Sequence, residues 1–276
     1  MKHVLIVGEN SYIGASFAKY AGERCSIQTV SARDGKWRDA NFTGIDSILY
    51  CAGIAHAAQN KEMKQLYYHV NCDLAVKVAE HAKSAGVKQF IYLSSMSVYG
   101  NVGPVIIPET QPTAIDFYGG SKLAAEEKLQ QLDLHVCILR PPMVYGFGCK
   151  GNFPRLVKLS KSMLVFPKIK NRRSMIYIDN LCEFVCQAIM ENKSGIHFPQ
   201  NAEYVNTTEL VQIISRLHGK EIRATGLLNP MIAILKNCLS PMDKLFGDLV
   251  YEKTGDEANY NVISFEDGVK MAVLGR

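Results

Sequence analysis

The stretch VLIVGENSYIGASFAKY, residues 4–20, decides the fold. Its first four residues form an unbroken apolar run of the kind that fills a buried strand, and the apolar spacing after Ser11 is helical. Between the two lies a turn with Gly8 and Gly14 at the outer positions of a GxxGxxG pattern and Ser11 at the middle one. A glycine turn that opens a helix collects backbone N–H groups and the positive end of the helix dipole, which together can hold a pyrophosphate. Gly8, Ser11, Tyr12, Ile13 and Gly14 are therefore candidate cofactor contacts, although a plain strand–turn–helix would satisfy the same pattern.

Outward from this turn, short apolar runs alternate with longer helical patterns. That alternation is the sign of parallel strands joined by crossover helices. Strands are expected at His3–Val7, Ile27–Val30, Ser47–Tyr50, Gln89–Leu93 and His135–Leu139. Lys61 to Gly86 carries Leu66, Val70, Leu74, Val78 and Ala82 every four residues, which predicts a helix with one apolar stripe. A second helix is expected over about Ile115 to Leu132, with Leu123, Ala124 and Leu129 inward. From Gly146 the alternation becomes irregular, with short helices expected near 181–190, 207–217 and 265–273. The expected fold is α/β: a Rossmann-type doubly wound parallel sheet with a small C-terminal substrate-binding lobe. Residues 1–145 would be the NAD(P)-binding domain and 146–276 mostly lobe, with a segment at about 172–200 returning to the core, and the two parts sharing one cleft.

Composition fits an ordinary globular protein, with 276 residues, 47% of them hydrophobic and 21% charged. The net charge of +5 has no long basic run behind it, which argues against a nucleic-acid surface and suits an anionic small molecule. The eight cysteines form no CxxC pair and the seven histidines show no HxxxH spacing, so reduced structural thiols and no metal are expected. The chain enters its first strand almost at once, without a signal-peptide pattern, and Leu227 to Leu239 is too short and too polar to span a bilayer; it reads as a lobe helix. A cytoplasmic location is expected.

FIYLSSMSVYG, residues 90–100, ends an apolar strand at a pair of serines, and FYGGSKLAAEE, residues 117–127, places Tyr118 and Lys122 one helical turn apart. A free tyrosine has a pKa of about 10, so moving its proton near neutrality calls for a nearby cation such as Lys122. Tyr118 is the candidate acid or base, Ser95 would align the substrate oxygen, and Lys122 would also reach the nicotinamide ribose. YxxxK alone is common in ordinary helices; here it follows a dinucleotide turn and a serine strand end in the order the chemistry needs. The second strand ends at Val30 and continues as Ser31, Ala32 and Arg33, without the carboxylate that accepts the ribose hydroxyls of NAD. Arg33 therefore favours NADP(H) over NAD(H).

At these residues the chain resembles the extended short-chain dehydrogenase/reductase family, of the NAD-dependent epimerase/dehydratase type. YYHVNCDLAVKVAEHAKSAGVKQFIYLSSMSVYG (67–100), LRPPMVYGFG (139–148) and RRSMIYIDN (172–180) carry the resemblance through most of the length. It implies that Cys51, Ala52 and Gly53 line the cofactor and that Arg140, Pro141 and Pro142 pass beneath the nicotinamide. Met143 stands where relatives commonly carry an asparagine that grips the sugar nucleotide, and Asn152 is the residue expected to compensate. Arg173 matches a diphosphate contact, with Arg172 beside it, and Lys150 in its glycine-flanked loop is a further candidate donor. The run 140–159 followed by 171–180 looks most like nucleotide-sugar 4-ketoreductases and more distantly like UDP-glucose 4-epimerases.

That resemblance implies reduction of a UDP-4-keto-6-deoxy-N-acetylhexosamine for surface polysaccharide synthesis. A UDP-sugar 4-epimerase with retained NAD would use the same three residues, and a non-catalytic dinucleotide-sensing protein is the alternative of another class. Ser31 to Asp46 is too short for the helix, strand and helix usual there, so a simplified adenine side is expected. The apolar stripes on 61–86 and 115–132 permit a homodimer.

Overall fold

The computed structural model describes residues 1–55, 60–229 and 246–275. Contacts divide the chain into two compact units. The first comprises residues 1–101, 110–142 and 181–199, and the second comprises 102–109, 143–180 and 200–276.

The first unit is built on six parallel strands: β1 (Lys2–Val7), β2 (Cys25–Val30), β3 (Ser47–Tyr50), β4 (Gln89–Leu93), β5 (His135–Leu139) and β6 (Gly195–His197), in the order β6-β5-β4-β3-β1-β2. Strands covered by helices on both faces are apolar throughout, and Val4–Val7, Ile48–Tyr50 and Phe90–Leu93 are all buried. The strand order reverses between β1 and β3, the place where open α/β sheets leave a crevice at the carboxyl ends of their strands. Among the described residues no further strand flanks β2. Residues 31–46 contain only a 3-10 turn, Arg33–Arg38, where a longer segment would add one.

Between the strands run α1 (Tyr12–Ala21), α2 (Lys61–Tyr68), α3 (Leu74–Ser84) and α4 (Phe117–Leu129). α2 and α3 are one helical path joined by a π turn, His69–Asp73. The extra residue rotates the face, so the predicted stripe holds only beyond the π turn: Val78 and Ala82 are buried, Val70 and Leu74 are half-buried and Leu66 is 42% exposed, while Tyr67, Asn71, Cys72 and Ala75 also turn inward. α4 also differs from the expectation. It is shorter at both ends, begins at an Asp116 N-cap, and its buried face is Ser121, Lys122, Ala125, Glu126 and Leu129, with Leu123 and Ala124 only half-buried. Apolar spacing could not find that face because three of its five residues are polar.

The second unit holds three two-stranded parallel pairs, Val105–Ile106 with Val250–Tyr251, Met143–Tyr145 with Met175–Tyr177, and Val165–Pro167 with Arg223–Thr225. Its helices are Asn152–Ser162, which the irregular pattern after Gly146 concealed, Thr207–Leu217 and Phe265–Leu274. The lobe helix read over Leu227 to Leu239 lies mostly outside the described residues. The seven described cysteines form no disulfide, and among the described residues no helix is long and apolar enough to cross a membrane.

Candidate active site

In the first unit the turn after β1 is closed by its own backbone. The Gly8 N–H donates to the Val30 carbonyl at 2.9 Å, and Ser11 Oγ caps α1 by accepting the Gly14 N–H at 2.9 Å. Gly8 has φ +114°, and a Cβ there would lie 2.7 Å from the Ala52 nitrogen, so the close approach of this turn to the end of β3 requires glycine. The Cys51 and Ala52 N–H groups both donate to the Val7 carbonyl, which fastens the end of β3 beside that of β1. The first turn of α1 contains no acidic residue, leaving the positive end of its dipole uncompensated by its own side chains. A glycine-permitted close approach and a helix N-terminus without an acidic residue fit a dinucleotide pyrophosphate.

β4 delivers Ser95 to the carboxyl edge of the sheet in extended conformation, where its hydroxyl accepts the Ser97 N–H at 3.1 Å. α4 is pressed against the same turn at Gly119, where a Cβ would lie 2.4 Å from the Ser97 carbonyl oxygen. That approach brings Tyr118 beside Ser95, whose hydroxyl acts on the phenol. One turn on, Lys122 is 5% exposed, donates from Nζ to the Leu93 carbonyl at 2.7 Å and lies 4.7 Å over the Tyr92 ring. A Cβ on Gly53 would stand 3.4 Å from Lys122 Nζ. The sheet thus brings Gly8, Ser11, Cys51, Gly53, Ser95, Tyr118 and Lys122 to one edge of one unit.

Burial pushes the Tyr118 phenol above its ordinary value, and the hydrogen bond with Ser95 opposes this only in part. Burial also brings the Lys122 ammonium down to about 8, against the pull of Cys51 and Glu126. The Cys51 thiol is pushed up to about 12 by burial, although Ser11 and Lys122 both act to lower it. These groups stand as a neutral phenol, a loosely held ammonium proton and a protonated thiol.

Asn71 escaped the sequence reading. It is fully buried in the π turn, its Oδ1 accepts the Ile54 N–H at 2.8 Å, and its Nδ2 donates to the Ile54 carbonyl and to Ser121 Oγ. It therefore ties the loop after β3 to α4. An asparagine amid apolar helix positions was the available signal.

Pro141 also lies in this unit, its carbonyl accepting the Met96 N–H at 3.0 Å, and the Arg140 side chain is buried. Arg33 is exposed at the start of its 3-10 turn. In the second unit the remaining candidates stand on separate elements. Met143 opens a strand beside Met175, Lys150 is exposed in a loop, and Asn152 is exposed at the start of its helix after Gly151. The Arg173 backbone bridges Val205 and its Nη1 donates to the Gly247 carbonyl at 3.3 Å, while Arg172 lies over the Tyr204 ring.

The NAD dependent epimerase/dehydratase family profile matches residues 4–200. The chain is 36% identical to a UDP-glucose 4-epimerase of Vibrio cholerae, over 92% of this chain and 86% of that protein. Its fold is shared with dTDP-4-dehydrorhamnose reductase of Bacillus anthracis in complex with NADP, at a TM-score of 0.76 and 18% identity over the whole of both chains. It is shared equally with UDP-glucuronic acid 4-epimerase of Bacillus cereus in complex with NAD, at a TM-score of 0.75 and 17% identity, covering 97% of this chain and 94% of the other. With a dinucleotide turn at the sheet's switch point and a match of this extent, the chain belongs to the NAD dependent epimerase/dehydratase family, as an NAD(P)-dependent extended short-chain enzyme among the nucleotide-sugar epimerases and reductases.

Proposed function

We propose that this protein reduces the 4-keto group of a UDP-linked 6-deoxy-N-acetylhexosamine, with NADPH as the reductant and Tyr118 as the proton donor. The observation that carries the reading is the meeting of Ser95, Tyr118 and Lys122 at one sheet edge with the phenol held neutral. A neutral phenol is the form that donates a proton, which reduction of a carbonyl needs first.

A dinucleotide held at the glycine turn after β1 would supply the hydride that C4 takes up. As the C4–O4 π pair moves onto oxygen, Tyr118 gives its proton to O4 and the product is the C4 alcohol. Ser95 donates to the same oxygen and fixes its distance from the phenol. Lys122 offers the positive charge that accommodates the resulting phenolate until solvent reprotonates it. Arg33, beyond the end of β2, is the proposed contact of the 2′-phosphate, and Met143, Lys150, Asn152 and Arg173 are the proposed contacts of the sugar nucleotide.

A second reading, 4-epimerisation of a UDP-sugar with retained NAD, is favoured by the similarity to UDP-glucose 4-epimerase. The two part in one experiment, in which purified protein receives NADPH and UDP-4-keto-6-deoxy-N-acetylglucosamine. Reduction predicts one NADPH oxidised per UDP-6-deoxy-N-acetylhexosamine formed. Unchanged NADPH, together with tightly held NAD and interconversion of UDP-glucose and UDP-galactose, would establish the epimerase instead.

A further inference from the structure

Behind the candidate site lies a buried ion pair that the proposed chemistry does not use. Glu126 is fully buried on α4, one turn beyond Lys122 and on the same face, and Arg140, 4% exposed, stands at the end of β5. The Arg140 guanidinium meets the carboxylate as a fork, with Nη2 2.5 Å from Oε2 and Nε 3.1 Å and 3.2 Å from the two oxygens. Ser94 Oγ donates to Glu126 Oε1, and Arg140 Nη1 donates to the Tyr99 hydroxyl at 2.7 Å. The Arg140 carbon Cζ also lies 5.1 Å from the centre of the Tyr99 ring.

A buried pair of this kind contributes little net stability, because desolvation of both charges offsets their attraction; the best-attested return is the fixing of one register over its neighbours. Here the register is that of the proposed reacting groups. Ser94 precedes Ser95, Tyr99 closes the turn that follows it, Glu126 shares a helix with Tyr118 and Lys122, and Arg140 precedes Pro141. Lys122 and Ser121 already tie α4 to the Leu93 carbonyl and to Asn71, but an apolar contact in place of the pair would fix neither the distance nor the angle between α4 and the end of β5. The planar fork does not, since a small rotation breaks several charge-assisted bonds at once.

We infer that Glu126 and Arg140 are positioning residues for the reaction, a buried pin that sets the Tyr118 hydroxyl against Ser95 and the substrate oxygen. The inference rests on the reading of Tyr118 as the proton donor. The test compares kcat and KM in the NADPH-coupled assay for wild type, Tyr118→Phe, the double variant Glu126→Leu/Arg140→Met, and Arg140→Lys.

Replacing the pair by apolar residues of similar volume removes both buried charges together and takes one hydrogen bond each from Ser94 Oγ and the Tyr99 hydroxyl. The double variant should fold and hold NADPH with a Kd within about twofold of wild type, yet lose roughly tenfold or more in kcat through misplaced groups. Arg140→Lys keeps the charge and loses the fork, and should lower kcat by about threefold or more without a comparable change in KM. A purely structural pair would lower Tm and leave kcat at 25 °C intact. Wild-type kcat in the folded double variant overturns the inference, and if that variant fails to fold, wild-type kcat in Arg140→Lys overturns it. Either result alongside an inactive Tyr118→Phe removes the pin alone; an active Tyr118→Phe removes the reading of the site and the pin with it.

Discussion

Lys122 is nearly inaccessible, yet its ammonium has one carbonyl acceptor at 2.7 Å and one aromatic face beneath it. Burial lowers its folded pKa to about 8 from the ordinary 10.5. Below pH 8 both the folded and unfolded chains carry the proton, so the burial penalty is fully present. Above about 10.5 both are neutral and the penalty is gone, so the protein without cofactor should gain stability as pH rises from 8 to 10.5. The difference corresponds to about 3 kcal/mol. Lys122→Met should therefore melt higher than wild type at pH 7, by a margin that shrinks at pH 10, while abolishing turnover. A variant that melts lower than wild type at both pH values would show that the ammonium is fully compensated. Arg33 calls for a different measurement, since it is exposed and should act only on the cofactor. Arg33→Ala should raise the Kd of NADPH by about tenfold and leave that of NADH nearly unchanged, in keeping with one charge-assisted phosphate contact. Equal effects on both would remove Arg33 from the site.

α4 carries Tyr118 and Lys122, and its distance from the serine turn is set by Gly119. Gly119→Ala would bring a methyl to 2.4 Å from the Ser97 carbonyl, which is backbone and cannot swing aside. The helix must back away from Ser95. Turnover should fall by roughly a hundredfold, as a displacement of about 1 Å at a reacting pair can cost that much. Circular dichroism and kcat measured together check this; a folded variant with wild-type kcat would mean that the approach is not needed.

The same element explains what the sequence concealed. β3, β4 and β5 have the boundaries that their apolar runs predicted, because the interior of a strand covered on both faces is apolar, here after an initial Ser47, Gln89 or His135. The inward face of α4 was hidden because Ser121, Lys122 and Glu126 are satisfied within the core by Asn71, the Leu93 carbonyl and Arg140, and polarity then says nothing about direction. The face of α2 was hidden because a single π turn shifts the period and aims Asn71 inward. Ser95, Tyr118 and Lys122 were legible as candidates through order and spacing, whereas Asn71, Glu126 and Arg140 work through partners distant in sequence.

Over the whole molecule, sheet order and motif order agree. The strand order reverses between β1 and β3, the glycine turn sits at that reversal, and α4 closes on the neighbouring strand end. Residues 31–46, with one 3-10 turn where a longer crossover would add a strand, leave β2 as the edge of the sheet and Arg33 exposed beyond it. The central claim is that this arrangement moves a hydride from NADPH to C4 of the sugar while Tyr118 protonates O4. The most direct test is turnover with NADPH deuterated at nicotinamide C4 on its transferring face, followed by mass spectrometry and NMR of the sugar product. One deuterium at C4 of the UDP-sugar in wild type, and no labelled product from a folded Tyr118→Phe variant that still binds NADPH, is the predicted result. An unlabelled C4 in the product, or label delivered at the wild-type rate without Tyr118, would contradict it.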